Sequence, residues 1–165
     1  HFIFISLVSL MAETNDLIFL EVFNKYLIMI TNKRFKYKYY NKFCGRNPPE
    51  ISSFDYLFRI YKYSTIPQSI LAAGYIIARR AFPDGINEQM IHRVIFTSVY
   101  LAFKMYIDTI YIRISKWSKI SGLPKDEITG LELAMLEMID YRLYIKESEF
   151  LDNFNSLKLT KIEDL

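Results

Sequence analysis

Apolar residues recur three and four positions apart along most of this chain, and each such run predicts a helix with one packing face. In ETNDLIFLEVFNKYLIMIT, residues 13–31, the stripe is Phe19, Val22, Phe23, Tyr26, Leu27 and Ile30, with Asn15 or Asp16 placed to cap it. After Gly45 and Pro48-Pro49, the segment ISSFDYLFRIYKYS carries Phe54, Leu57, Phe58 and Tyr61. Ser52 and Asp55 stand at capping-box spacing there, and Ile51 is expected to pack back onto the first turn. A third helix is expected from about Pro67, with Thr65 and Gln68 again at capping-box spacing, ending at Pro83-Asp84-Gly85. Its Ala72, Ala73 and Gly74 permit a close helix contact.

The stretch HRVIFTSVYLAFK, His92 to Lys104, is apolar around nearly its whole circumference. A helix of that kind belongs in the middle of a bundle. It is expected over about 88–107, with Asn87 as cap and Glu88 in the first turn. Yet it ends on a lysine, and a charge at the far end of a core helix needs a reason. A short helix over Ser115 to Lys119 follows, and then Ser121-Gly122. PKDEITGLELAMLEMIDYRL predicts the last strong helix, with Leu131, Met135, Met138 and Ile139 facing inward. No segment alternates with period two, so the fold class read from the pattern is all-α.

The chain has 165 residues, enough for one domain with a sizeable core. At 52% apolar and 24% charged it is globular rather than disordered, and five Gly and five Pro favour long helices over many turns. A formal charge of +3 is too small to imply nucleic acid by itself. One cysteine, Cys44, excludes an intrachain disulfide and a cysteine metal site, and a reducing compartment fits best. His1 and His92 are the only histidines, which excludes a multi-histidine centre. The opening HFIFISLVSLMA is apolar like a signal peptide but lacks a basic start. A beginning at His1 rather than Met leads us to expect a fragment or a cloning remnant. No run reaches the ~18 apolar residues that cross a bilayer, so no membrane partner is expected.

Candidate chemistry is thin. There is no Gly-rich phosphate loop, HExxH or GxSxG. Asp126 and Glu127 are adjacent on a helix and do not face each other, and Glu132 and Glu137, five apart, are also poorly placed. Ser98 reads as a small helix contact rather than a nucleophile. The chain is therefore read as no enzyme, with no cofactor and no metal. The tract Lys33, Arg34, Lys36, Lys38 and Lys42 alternates with Phe35, Tyr37, Tyr39 and Tyr40. Such a run holds single-stranded nucleic acid in some proteins. The plainer reading is a solvated linker with inward aromatics, and an acidic partner surface also fits.

Taken together, PPEISSFDYLFRIYKY, His92-Arg93, Lys104, Asp108, Ser121-Gly122, Glu127, Leu131-Glu132, Leu136 and IDYRLYI resemble a cyclin box, and more narrowly that of the PHO80-like (P-type or Pcl-type) cyclins. The order and spacing carry the resemblance over about 44–150. The chain departs from the pattern at Ala78, where many relatives have Asp before an Arg, at Ile107-Asp108, at Trp117 in a linker one residue longer, and at Pro124.

The resemblance implies a five-helix bundle around a buried third helix, here the His92–Lys104 stretch, with an additional N-terminal helix. The implied division is 1–43 N-terminal helix and basic/aromatic linker, 44–150 cyclin box and 151–165 C-terminal tail. It implies a regulatory subunit that binds and allosterically activates a cyclin-dependent kinase as a heterodimer, in the cell cycle or in phosphate or nutrient signalling, in the nucleus or cytoplasm. It places the kinase interface on Leu101, Lys104, Met105, Glu132, Leu136 and Leu143. The other reading, a cyclin-fold adaptor in transcription or other nucleic-acid machinery, draws its local support from the Lys33–Lys42 tract.

Overall fold

The computed structural model describes residues 40–47, 49–108 and 111–163. The expected N-terminal helix and the Lys33–Lys42 tract, but for its last residues, lie outside the described residues. Regular structure among the described residues is helical: α1 (Tyr40–Phe43), α2 (Ser53–Ser64), α3 (Gln68–Ala81), α4 (Ile91–Tyr106), α5 (Ile114–Ser121), α6 (Lys125–Met138) and α7 (Glu147–Glu163).

The helix ends follow from local chemistry. Ser52 caps α2, its Oγ accepting from the Asp55 amide at 3.0 Å and donating to Asp55 Oδ2 at 2.6 Å. Ile51 stays 42% exposed, so it does not pack back as expected. Thr65 works on the other side of the turn from the one expected. It adopts a left-handed conformation, φ 54°, and closes the C-terminus of α2, while Pro67 precedes α3 with no side-chain cap. The central helix starts later than expected. Asn87 accepts from the Met90 amide at 3.1 Å across a turn, and α4 begins only at Ile91. At Gly122, φ 74° permits the left-handed stop of α5.

Helix α4 is the axis of the bundle. Every residue from Val94 to Phe103 is buried. The threonine and serine hydroxyls among them are satisfied within the helix: Thr97 donates to Arg93 O at 2.7 Å and Ser98 to Ile95 O at 3.1 Å. Gly74 of α3 lies against the Val99 backbone, where a Cβ would sit 3.0–3.1 Å from Val99 atoms, so the small residue sets how closely α3 crosses α4. On another side Trp117 of α5, fully buried, meets Phe96, Tyr100 and Phe103 edge-on at 5.2–6.0 Å between centroids. Tyr56 joins α2 to both neighbours, stacking on His92 at 4.2 Å and donating to Ser121 O at 2.9 Å.

The last strong helix is shorter than its apolar pattern. It ends at Met138, and Asp140 and Tyr141 take left-handed conformations, φ 53° and 55°, that turn the chain into the extended segment 142–146. Residues 151–163, expected as a tail, continue α7. Phe150 and Phe154, one turn apart, are both in the core. No helix of the described residues is long and apolar enough to cross a membrane, and none of their His, Cys, Asp and Glu side chains group as a metal site.

Candidate functional site

The lysine at the end of α4 sits where the helix leaves the core. Phe103 is 5% exposed; one residue on, the Lys104 side chain is 48% exposed. Its ammonium forms an ion pair with Glu132 of α6 and lies over the Tyr100 ring, 5.4 Å from the centroid. Glu132 is the more enclosed partner, with 17% of its side chain exposed. Burial alone pushes the Lys104 ammonium down, but the hydrogen bond and charge of Glu132 outweigh it and hold the pKa above the usual lysine value. Burial likewise pushes the Tyr100 hydroxyl up. An ammonium has three donors, so the pair with Glu132 leaves Lys104 able to donate outward.

The end of α4, the end of α6 and the 139–144 segment line an open cleft of about 630 Å³. Met105, Met138, Leu143 and Tyr144 give it apolar walls, and Arg80 and Arg142 edge it. Met105 is 41% exposed, Tyr141 60% and Tyr144 68%, so the lining faces solvent in part. Leu136 and Leu143 are half-buried and pack on the core. Leu101 does not share this exposure. It is 2% exposed and lies one turn inward of Met105 on the same face of α4. Of the six expected interface residues, then, the structure joins Lys104 to Glu132, sets Met105 and Leu143 in one cleft, keeps Leu136 half-buried and places Leu101 in the core.

Sequence reasoning missed the residues that hold this cleft in shape. Arg80, near the end of α3, donates from Nη1 to Arg142 O at 2.7 Å and Tyr144 O at 3.0 Å, and pairs through Nη2 with Glu149 of α7 at 2.7 Å. Tyr106 donates to Leu143 O at 3.0 Å and accepts from the Ile145 amide at 2.9 Å. The extended segment thus has its backbone groups satisfied by side chains. Ala78 is buried at 3% and carries no charge; the arginine that links elements here is Arg80. A second ion pair, Arg93 Nε to Glu127 Oε1 at 2.6 Å, ties the other end of α4 to α6.

The cyclin family model, described simply as Cyclin, matches residues 12–143. The chain belongs to the cyclin family. It is 33% identical over 114 residues to Cyclin-U3-1 of Arabidopsis thaliana, covering 66% of this chain and 50% of that protein. It is 32% identical over 108 residues to PHO85 cyclin-like protein psl1 of Schizosaccharomyces pombe, covering 62% and 44%. Cyclin-U4-1 of Arabidopsis thaliana is 29% identical over 120 residues, covering 70% and 59%. The chain spans about half the length of these curated relatives. U-type and PHO85-like relatives together place it with the PHO80-like cyclins, and the helices around α4 form this cyclin's box.

Proposed function

We propose that this cyclin is the regulatory subunit of a cyclin-dependent protein kinase, which it binds as a heterodimer and activates without catalysis of its own. One observation carries the reading: a Lys104–Glu132 pair, preformed at the exposed end of the core helix, where the next residue, Met105, lines an open cleft. The likeness to PHO85 cyclin-like protein psl1 supports it.

The chemistry suits a helix as ligand. Lys104, held by Glu132, donates its remaining N–H groups to carbonyls of the partner helix, while Met105, Leu136 and Leu143 take its apolar side chains. The apolar contacts supply most of the affinity and the charged pair fixes register. Because the pair exists before binding, little ordering entropy is lost there. Activation is a population shift: the cyclin binds the kinase form whose regulatory helix is turned inward, which lets that helix's Glu meet the ATP-binding Lys. The heterodimer would act in the nucleus or the cytoplasm, in cell-cycle or phosphate and nutrient signalling.

The test mixes the chain with a panel of purified cyclin-dependent kinases and follows complex formation by size-exclusion chromatography and phosphotransfer with a generic peptide. A stoichiometric complex with raised phosphotransfer for at least one kinase is expected. Absence of both across the panel would overturn the proposal.

A further inference from the structure

A second cleft, of about 490 Å³, opens between α2 and α5 and shares no lining residue with the first. Arg59 and Tyr63 form one wall, and Lys116, Lys119 and Ile120 the other. These positions are four apart on α2, and three and four apart on α5, so each helix presents one ridge to the cleft. Ile120 is buried and floors it; Lys116, Lys119 and Tyr63 are exposed at its rim.

The charges here are uncompensated. None of Arg59, Lys116 and Lys119 is in ion-pair contact with a carboxylate among the described residues. Arg80, Arg93 and Lys104, by contrast, each meet a carboxylate. Arg59 is also held in place: Nη2 donates to Lys119 O at 2.9 Å, which satisfies a C-terminal carbonyl of α5 and leaves the other guanidinium donors for a ligand. The helix end explains that one bond. It does not explain Lys116, a turn upstream on the same ridge. Three like charges converging on a concave space repel one another, and an anion carrying two negative charges relieves all three.

We propose that this cleft docks a phosphorylated serine or threonine of a protein segment. A phosphoryl group brings close to two negative charges and three acceptor oxygens, which matches one guanidinium fork and two ammonium groups. The space suits one such group and its neighbours, with Ile120 and the Tyr63 ring to receive an adjoining side chain. A nucleic-acid strand would instead call for a track of cations along the surface. The inference rests on the kinase-subunit reading, which brings phosphorylated segments to this protein, and it gives the complex a means of preferring substrates already phosphorylated once.

The test contains no kinase, so its result is independent of the reading it rests on. Fluorescence anisotropy would measure binding of the chain to a labelled Ala/Gly peptide carrying one phosphoserine, to its unphosphorylated twin, and to labelled oligothymidylate. We expect the phosphopeptide to bind at least about tenfold tighter than its twin, and Lys116→Glu/Lys119→Glu to remove that preference. Both lysines are exposed, so the variant folds, which circular dichroism verifies. Arg59→Lys, which keeps the charge and loses the fork, is expected to weaken phosphopeptide binding several-fold. Equal affinity for the two peptides, an unchanged preference in the double variant, or tighter binding of oligothymidylate than of phosphopeptide would each overturn the proposal.

Discussion

Two ion pairs join α4 to α6, and they live in different surroundings. Arg93–Glu127 lies near the start of both helices, with both side chains about a quarter to a third exposed. Arg93 is further enclosed by the chain at Gly45, where even a Cβ would come within 3.0 Å of Nη1. Lys104–Glu132 lies where α4 leaves the core, with the lysine half exposed and the next residue, Met105, lining an open cleft. The first pair is enclosed by neighbouring chain, and the second stands at the exposed end of the core helix. The same chemistry thus serves packing at one end of a helix and, in our proposal, recognition at the other. What distinguishes them is the neighbourhood of each charge, not the charge itself.

Trp117 lies between the two pairs and touches α4 at Phe96, Tyr100 and Phe103. Trp117→Ala should therefore weaken both ends at once, costing about 3–5 kcal/mol in chemical denaturation. A loss below about 1 kcal/mol would show that α5 is not a working part of the core. The comparison is sharpest in single variants. Lys104→Ala should weaken kinase binding by about 2–5 kcal/mol, much of it the cost of leaving the enclosed Glu132 unpaired in the complex. Stability should fall by less than about 1 kcal/mol, since the lysine is half in water. Arg93→Ala reverses the pattern: about 1–2 kcal/mol of stability is lost and kinase affinity stays within about twofold. Thermal melts beside calorimetric titrations would separate the two, and a shared pattern would abolish the distinction.

The smallest effect is a pH dependence near the structural pair. Burial of His92 against Tyr56 holds its imidazole pKa below the usual value, outweighing a backbone hydrogen bond at Ser52. Between the lowered folded value and the unfolded value of about 6.5, the unfolded chain binds more protons. Stability therefore falls as pH drops through about 6.5 and levels out below the folded value. Denaturation midpoints between pH 7.5 and pH 5 should show a decline that flattens in His92→Gln, and an equal slope in both would remove His92 as its source.

Much of this arrangement is legible in the sequence because long apolar stripes leave little choice of burial. The Val94–Phe103 run could only be a core helix, and Gly74 was readable as a close contact. The mapped pair Lys104 and Glu132 does meet in space. Other features were hidden for identifiable reasons. The turn at Asn87 displaces the start of α4 because Asn87 hydrogen-bonds Met90 rather than opening the helix directly. Leu101 looked like a surface contact, yet the step from buried to exposed falls between Phe103 and Lys104, and one sequence does not mark it. Arg80 and Tyr106 hold backbone groups of the 142–145 segment, far along the chain, and contacts to a backbone leave no trace in residue identity. Helix α7 is mostly polar, and Phe150 and Phe154 are its residues in the core.

The central claim is that the exposed end of α4 is the kinase-binding surface. Its most direct test is the dissociation constant of a purified cyclin-dependent kinase from the panel, measured by calorimetry for the wild-type chain and for Lys104→Ala/Glu132→Ala under identical conditions. Our account predicts binding weakened by at least about 30-fold in the double variant, with the melting temperature nearly unchanged. A double variant that binds as tightly as the wild type would contradict it.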